Sequence, residues 1–321
     1  MKPRRYIVVL IGALVYAAGA SIPPASGAAS PVGVKTTNLD EFLPSAGMDS
    51  GTGDSYFAWS QNSNLRHRHY NAFLDVTSGS TTSTVRLNAK GTLGWGSGID
   101  DGRLVFQEVR RTSNGKHQSN LVFYDIPSAT RLPSPDGVNT RAWQWGPSIS
   151  GDWILYGENS RPQDFSHVIL HNTTTREERI LAASTFERFT VFQDQVTGDY
   201  AVYHKHTPRR SNVIVYQIST GKRTRVPNPN DRFNVSAAVT ADGTVYYARS
   251  GKGCGNHVRL YRWSPVTLAD PVLLLRLPDG MDVAQRLFAF NDGVSTVLYF
   301  DRESCRTRNS NIYRIDNADT A

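Results

Sequence analysis

The sequence predicts an all-β protein: a six-bladed β-propeller of four-stranded antiparallel blades, its ring closed by an N-terminal strand. Three observations carry this expectation. A unit of about 43 to 50 residues recurs six times. Each unit bears two register marks at matching places, a tight turn and a polar-led strand start. No long apolar pattern with the 3.6-residue period of a helix appears anywhere, so helix is expected to be nearly absent.

The first mark is a turn of small and acidic residues, types that accept the tight-turn backbone: Gly53-Asp54, Asp101-Gly102, Gly151-Asp152, Gly198-Asp199, Asp242-Gly243 and Asn291-Asp292-Gly293. A short aromatic and β-branched run follows each: YFAW from Tyr56, LVF from Leu104, ILY from Ile154, YAVY from Tyr200, VYY from Val245 and VLYF from Val297. These runs have the length and composition of strands. After a polar loop comes the second mark, in YNAFLD, SNLVFYD, SHVILHN, SNVIVYQ, NHVRLYR and SNIYRID, starting at Tyr70, Ser119, Ser166, Ser211, Asn256 and Ser310. Most units add a short outer run, as in TRLP from Thr130, RIL from Arg179, TRV from Thr224 and VLLL from Val272. Along a unit these are strand A, ending at the turn, then B, C and D.

Such a unit leaves both faces bare and must stack on neighbours, and closing the ring removes the exposed ends. The sixth unit stops at Ile315-Asp316 without an outer strand, while PVGVKTT from Pro31 belongs to no unit. That segment is expected to supply the missing strand. A solenoid would show shorter coils, and two sandwiches would not hold one register through six units.

Through the turn before strand B and the Asn-aliphatic start of strand C, the chain resembles the TolB-type six-bladed propellers over nearly its whole length after the leader. The resemblance implies architecture. Three units invert the turn to Gly-Asp, and there is no room for the separate N-terminal domain of TolB, so the envelope-complex role of that protein is not carried over. Propellers of this kind host binding proteins, lyases, hydrolases and scaffolds alike.

Residues 1–28 read as an export signal: basic MKPRR, an apolar run of 15 residues from Tyr6 to Ala20, then small residues before a cleavage site near Ala28. The apolar run is shorter than the roughly 20 residues of a retained membrane helix. Residues 29–321 then form one propeller domain, secreted, monomeric and without a stable membrane anchor. In an oxidising compartment Cys254 and Cys305 are expected to form a disulfide, with two free thiols as the alternative. Cys254 follows Asp242, and Cys305 follows Asp292, by nearly equal intervals, so the bridge would join the same loop of the fifth and sixth units.

The chain carries +7, of which Lys2, Arg4 and Arg5 leave with the leader. The six predicted B–C loops, residues 60–69, 107–119, 157–166, 204–211, 248–256 and 301–310, sum to +9, so the basic character sits on one predicted face. Seven of the eight histidines lie in or beside the same loops, at 67, 69, 117, 167, 204, 206 and 257. A face of like charge gathers and steers anions. The candidate ligand-binding residues there are Arg66, His67, His69, Arg110, Lys116, His117, Lys205, His206, Arg209 and Arg249. Solvated loops collect the same residue types without any ligand, which is the competing explanation.

Trp95 and Trp145 join these candidates. They hold equivalent places before strand A ends, with Phe192 equivalent in the fourth unit, and aromatic faces near the channel stack on sugar rings or pack blade on blade. His67-x-His69 and His204-x-His206 have metal-ligand spacing, but they belong to opposite units and acidic residues are scarce in these loops, so no metal and no cofactor is expected. No nucleophile motif such as G-x-S-x-G is present. Of the carboxylates near strand A, Asp100, Asp101, Glu187 and Asp194, turn chemistry accounts for the first two. The sequence thus favours a secreted recognition module whose basic face engages an anionic polymer or acidic protein at the cell surface. The alternative is a propeller lyase or hydrolase acting on an acidic polysaccharide. Nucleic acid is disfavoured for want of any binding motif.

Overall fold

Runs such as Leu104-Val105-Phe106 and Ile154-Leu155-Tyr156 are apolar at every position because both faces of each sheet are covered; all six side chains are buried. The computed structural model describes residues 30–62, 69–160, 165–185, 190–229 and 232–320. The expected leader, residues 1–28, lies outside the described residues.

Among these residues the fold is all-β, a propeller-like arrangement of four-stranded antiparallel sheets. After β1 (Val32–Lys35) come β2 (Asp40–Met48), β3 (Ser55–Asn62), β4 (Tyr70–Ser78) and β5 (Thr81–Arg86). The second sheet is β6 (Leu93–Asp100), β7 (Arg103–Arg111), β8 (His117–Asp125) and β9 (Thr130–Leu132). The third is β10 (Trp143–Ser150), β11 (Trp153–Ser160), β12 (Phe165–Asn172) and β13 (Glu178–Thr185). Next, β14 (Thr190–Thr197), β15 (Tyr200–His206), β16 (Ser211–Gln217) and β17 (Arg223–Arg225) share one eight-stranded sheet with β18 (Phe233–Val239), β19 (Val245–Ser250), β20 (Arg259–Trp263) and β21 (Val272–Arg276). The two halves of that sheet meet at a single parallel pair, Ser211 with Phe233. The last sheet is β22 (Met281–Asn291), β23 (Thr296–Ser304) and β24 (Ser310–Ile315), and β1 is its fourth strand, Val32 facing Arg314.

The first strands of the successive runs touch in order, β2 to β6, β10, β14, β18 and β22, and β22 returns to β2. Between the runs lie the cores. Tyr56, Ala58 and Leu74 meet Ile99, Leu104 and Phe106; Val105 and Leu121 meet Ile149 and Tyr156; Leu155 and Val168 meet Val191 and Tyr203. Burying one such side chain stabilises by roughly 1.5–3 kcal/mol. Two cross-links fasten neighbouring runs, one of them at the closure. Lys35 of β1 reaches the first sheet, its Nζ 2.8 Å from Asp75 and 4.0 Å from the Trp59 ring centroid. Cys254 and Cys305 form a disulfide between the β19–β20 and β23–β24 connections.

Two boundaries differ from the sequence expectation. Strand pairing runs deep into the predicted B–C loops: Arg110 and Arg111 belong to β7, paired with Gln118 and His117. A polar residue continues a ladder as well as an apolar one when its side chain points to solvent, so composition misplaces these ends. In the fifth unit strand C starts at Arg259 and not at Asn256, because Asn256 is spent closing the disulfide loop, its carbonyl accepting from Gly251 N at 2.7 Å.

Candidate functional site

Each inner strand contains a β-bulge at the same depth. The register slips between Phe42 and Ser45, Trp95 and Ser97, Trp145 and Ser148, Gln193 and Gln195, Val235 and Ala237, and Val283 and Leu287. A bulge bends its strand and re-aims the neighbouring side chains. In the second and third sheets the bulge residue is Gly96 (φ +62°) or Gly146 (φ +56°), a left-handed conformation that glycine adopts without steric cost. Leu43 (φ 54°) and Ser236 (φ 48°) adopt it with side chains, which carries a strain that packing must hold.

Above the bulges, where the inner strands begin, the channel widens into a cavity of about 670 Å³. Its wall includes Trp95, Trp145, Phe192, Phe233, His204 and His206. Trp145 meets Phe192 edge to face at 5.9 Å, and its Nε1 donates to Asn159 Oδ1 at 3.3 Å. The indole occupies space that a side chain at residue 157 would claim: a Cβ on Gly157 would stand 2.3 Å from Trp145 Cε2. Gln193 Nε2 donates to the Gly146 carbonyl at 2.9 Å and fixes the bulge from the next sheet.

His204 lies flat on Phe192, centroids 4.8 Å apart, and its Nδ1 is 2.9 Å from Asp194 Oδ2. The Asp194 side chain is 2% exposed and that of His204 10%, so the pair sits in the cavity wall with the carboxylate behind. A carboxylate accepting from Nδ1–H selects the tautomer that leaves Nε2 as a base. His206, two residues on, packs on Phe233 at 5.6 Å, and burial, then the neighbouring His204, lowers its pKa.

Arg286 forms the floor. Its guanidinium donates to the carbonyls of Ser97 at 2.6 Å, Asp194 at 2.8 Å and Pro147 at 3.3 Å, groups from three sheets. Burial lowers its pKa to about 10, against the opposing pull of Asp194 and Asp301. Asp301 is fully buried opposite the widest bulge, where its carboxylate accepts from the backbone N–H groups of Gln285, Leu43 and Arg286. Burial nonetheless raises its pKa to about 6. Beyond the floor a smaller cavity of about 250 Å³, bordered by Ile99, Ile149 and Val196, opens at the other end. The channel is therefore blocked midway by a charge.

Of the sequence candidates, Trp95, Trp145 and His206 come together on this cavity. Arg209 is exposed in the turn beside Pro208, at its edge. Lys205 is half-buried on the opposite face of β15 from His204 and His206. His69, Arg110, Lys116 and His117 are exposed and do not line it. Arg110 stands 4.0 Å from Glu108, which also holds Arg131 at 2.8 Å. Arg249 is clamped in an adjoining pocket described below. Arg66 and His67 lie outside the described residues. Cys254, Asp282 and Cys305 form a described cluster of metal-type donors, but the two sulfurs are bonded to each other.

Sequence reasoning missed Arg286, Asp301, Gln193 and Phe233. Their local sequence gives little signal: Arg286 follows Gln285 at the head of the apolar run LFAF, and Asp301 stands where VLYF gives way to the polar Arg302, Glu303 and Ser304.

No protein-family model matches the sequence, and no curated protein matches it. In shape the chain is similar to solved structures. A protein of unknown function from Dyadobacter fermentans superposes with a TM-score of 0.61 at 10% identity, over 90% of this chain and 98% of that one. The β-propeller domain of the Trilobed protease from Pyrococcus furiosus gives 0.49 at 10% identity, over 86% and 95%. TolB from Acinetobacter baumannii gives 0.48 at 14% identity over 77% of this chain, which spans 59% of TolB. At such identities the likeness concerns fold alone.

Proposed function

We propose that the chain is an exported six-bladed propeller of TolB-like architecture that acts as a recognition module for an anionic extracellular or cell-wall polymer, seating one ring of it in the channel-mouth cavity. The six-blade reading divides the eight-stranded sheet at its single parallel pair, and the circuit of inner strands supports it. The observation that carries the function is the cavity wall, where four aromatic rings and two imidazoles surround a space of about 670 Å³. Aromatic faces offer stacking to a sugar ring, and Arg209 and Arg249 stand close by with positive charge. Tryptophan fluorescence, titrated with dextran sulfate, polygalacturonate and neutral dextran, tests it. Quenching by the charged polymers only, weakened by salt and lost in Trp145→Ala, is expected; no response to any of the three, or one unchanged by that substitution, refutes the cavity as the site.

The Asp194–His204 pair supports a second reading, an enzyme on acidic polysaccharide in which Nε2 of His204 is the base. Polymer cleavage, abolished in His204→Gln with binding retained, selects that reading. Binding without cleavage selects the module.

A further inference from the structure

Three arginines face one another directly across β19, β20 and β21: Arg249 opposite Arg259, and Arg259 opposite Arg276. Directly opposed residues share one face of a sheet with Cβ atoms about 4.5–5.5 Å apart, and like charges so placed destabilise it. None of the three makes an ion pair with a described residue. Beside them, in the seam between the two halves of the eight-stranded sheet, lies a pocket of about 230 Å³ lined by Arg232, Arg249, His257, Arg259 and Tyr261 among others, with no carboxylate among its described lining.

Arg249 is held there by neutral groups alone. Its Nε donates to Asn234 Oδ1 at 2.9 Å, its Nη2 to the Pro227 carbonyl at 2.7 Å and Tyr247 Oη at 2.9 Å, and it lies 4.6 Å from the Tyr261 ring centroid. Neutral acceptors orient a guanidinium without cancelling its charge. A fold that places three arginines in register and aims two into a concavity with a third arginine and an imidazole concentrates positive charge that an anion would neutralise. A single carboxylate matches one guanidinium fork; this much positive charge suits an oxyanion with more acceptor oxygens.

We infer that the seam pocket is the subsite for a phosphate or sulfate ester group. Ser250 and Gly251 border both this pocket and the channel-mouth cavity, so a ring in one and an ester in the other can belong to one polymer. The identity of that polymer rests on the proposed function; the anion site does not.

The test uses inorganic phosphate and inorganic sulfate against sodium chloride at matched ionic strength, with the melting temperature as readout. Both oxyanions are expected to raise it above the chloride value, and a larger effect of phosphate, growing as it becomes dianionic, would point to phosphate esters over sulfate. Arg259→Gln is expected to melt higher than wild type without the anion, since it relieves the ladder, and to weaken the oxyanion response by about tenfold or more. Arg276→Gln, outside the pocket, is expected to relieve the ladder and keep the response. Oxyanions acting no differently from chloride, or Arg259→Gln melting lower without anion while keeping the wild-type response, overturns the subsite. Dextran sulfate quenching of Trp145 is measured alongside, so that a failed subsite with intact quenching is told apart from failure of the cavity reading.

Discussion

Arg286 and Ser97, 189 positions apart, meet across the middle of the channel, Arg286 Nη1 donating to the Ser97 carbonyl at 2.6 Å. The same guanidinium reaches the carbonyls of Pro147 and Asp194, so one side chain joins four inner strands. Removing it leaves three buried carbonyls without that donor and takes away a buried positive charge that interacts with Asp194 and Asp301. Arg286→Ala is therefore expected to lose about 3–5 kcal/mol in denaturant unfolding. Arg286→Lys should recover little of it, because a point charge does not reproduce the planar fork.

Asp301 carries a pH signature. Its carboxyl pKa is raised from 3.8 to about 6 in the folded state, so the native protein holds this proton more tightly than the unfolded chain. The stabilisation is present below the ordinary carboxylate range and is lost as pH rises through about 6. Carboxylates with lowered values, such as Glu108 and Asp199, act oppositely and at lower pH. The difference in unfolding free energy between wild type and Asp301→Asn, measured from pH 4 to 7, isolates the term: it is expected to slope across this window, and a flat difference contradicts the raised value.

The disulfide closes a loop of 51 positions. Constraining the unfolded chain to that extent corresponds to about 4 kcal/mol in the chain-entropy model. Cys254→Ser is expected to lower the melting temperature and speed hydrogen exchange around residues 251–256 and 305–309, with a smaller effect on polymer binding. An unchanged melting temperature would count against a stabilising bridge.

Gly157 is the place to disturb Trp145 without removing it. An alanine Cβ there would stand 2.3 Å from the indole, so Gly157→Ala is expected to displace the ring at a cost of about 1–3 kcal/mol. Shifted tryptophan emission with weakened polymer quenching is the expected result. A wild-type spectrum and titration would mean that the indole position does not matter.

How much of this was legible in the sequence depends on the range of each interaction. Turn chemistry and strand composition act over a few residues, so the sequence by itself determined the all-β character, the four-stranded unit and the places of strand B. Repetition extended this further: the unit lacking an outer strand pointed to Val32–Lys35 beside β24, and the matched loops pointed to the Cys254–Cys305 pair. Trp95 and Trp145 were placed together because equivalent positions in a repeat face a common axis.

Tertiary structure decided the rest of the cavity. The expected basic ring does not gather on the cavity, since Arg110, Lys116 and His117 remain on exposed hairpin ends. What does gather there depends on bulges in the inner strands, each a one- or two-residue slip with no fixed composition: Leu43, Gly96, Gly146, Asp194 and Ser236 serve alike. The arginine ladder likewise needs the pairing register of β19, β20 and β21, which places Arg249, Arg259 and Arg276 side by side although their spacing in the chain is irregular. The repeat and the strands are written locally; the charged floor at Arg286 and the arginine ladder in the seam, without an ion pair among the described residues, exist only once distant carbonyls and strands have been brought within bonding distance.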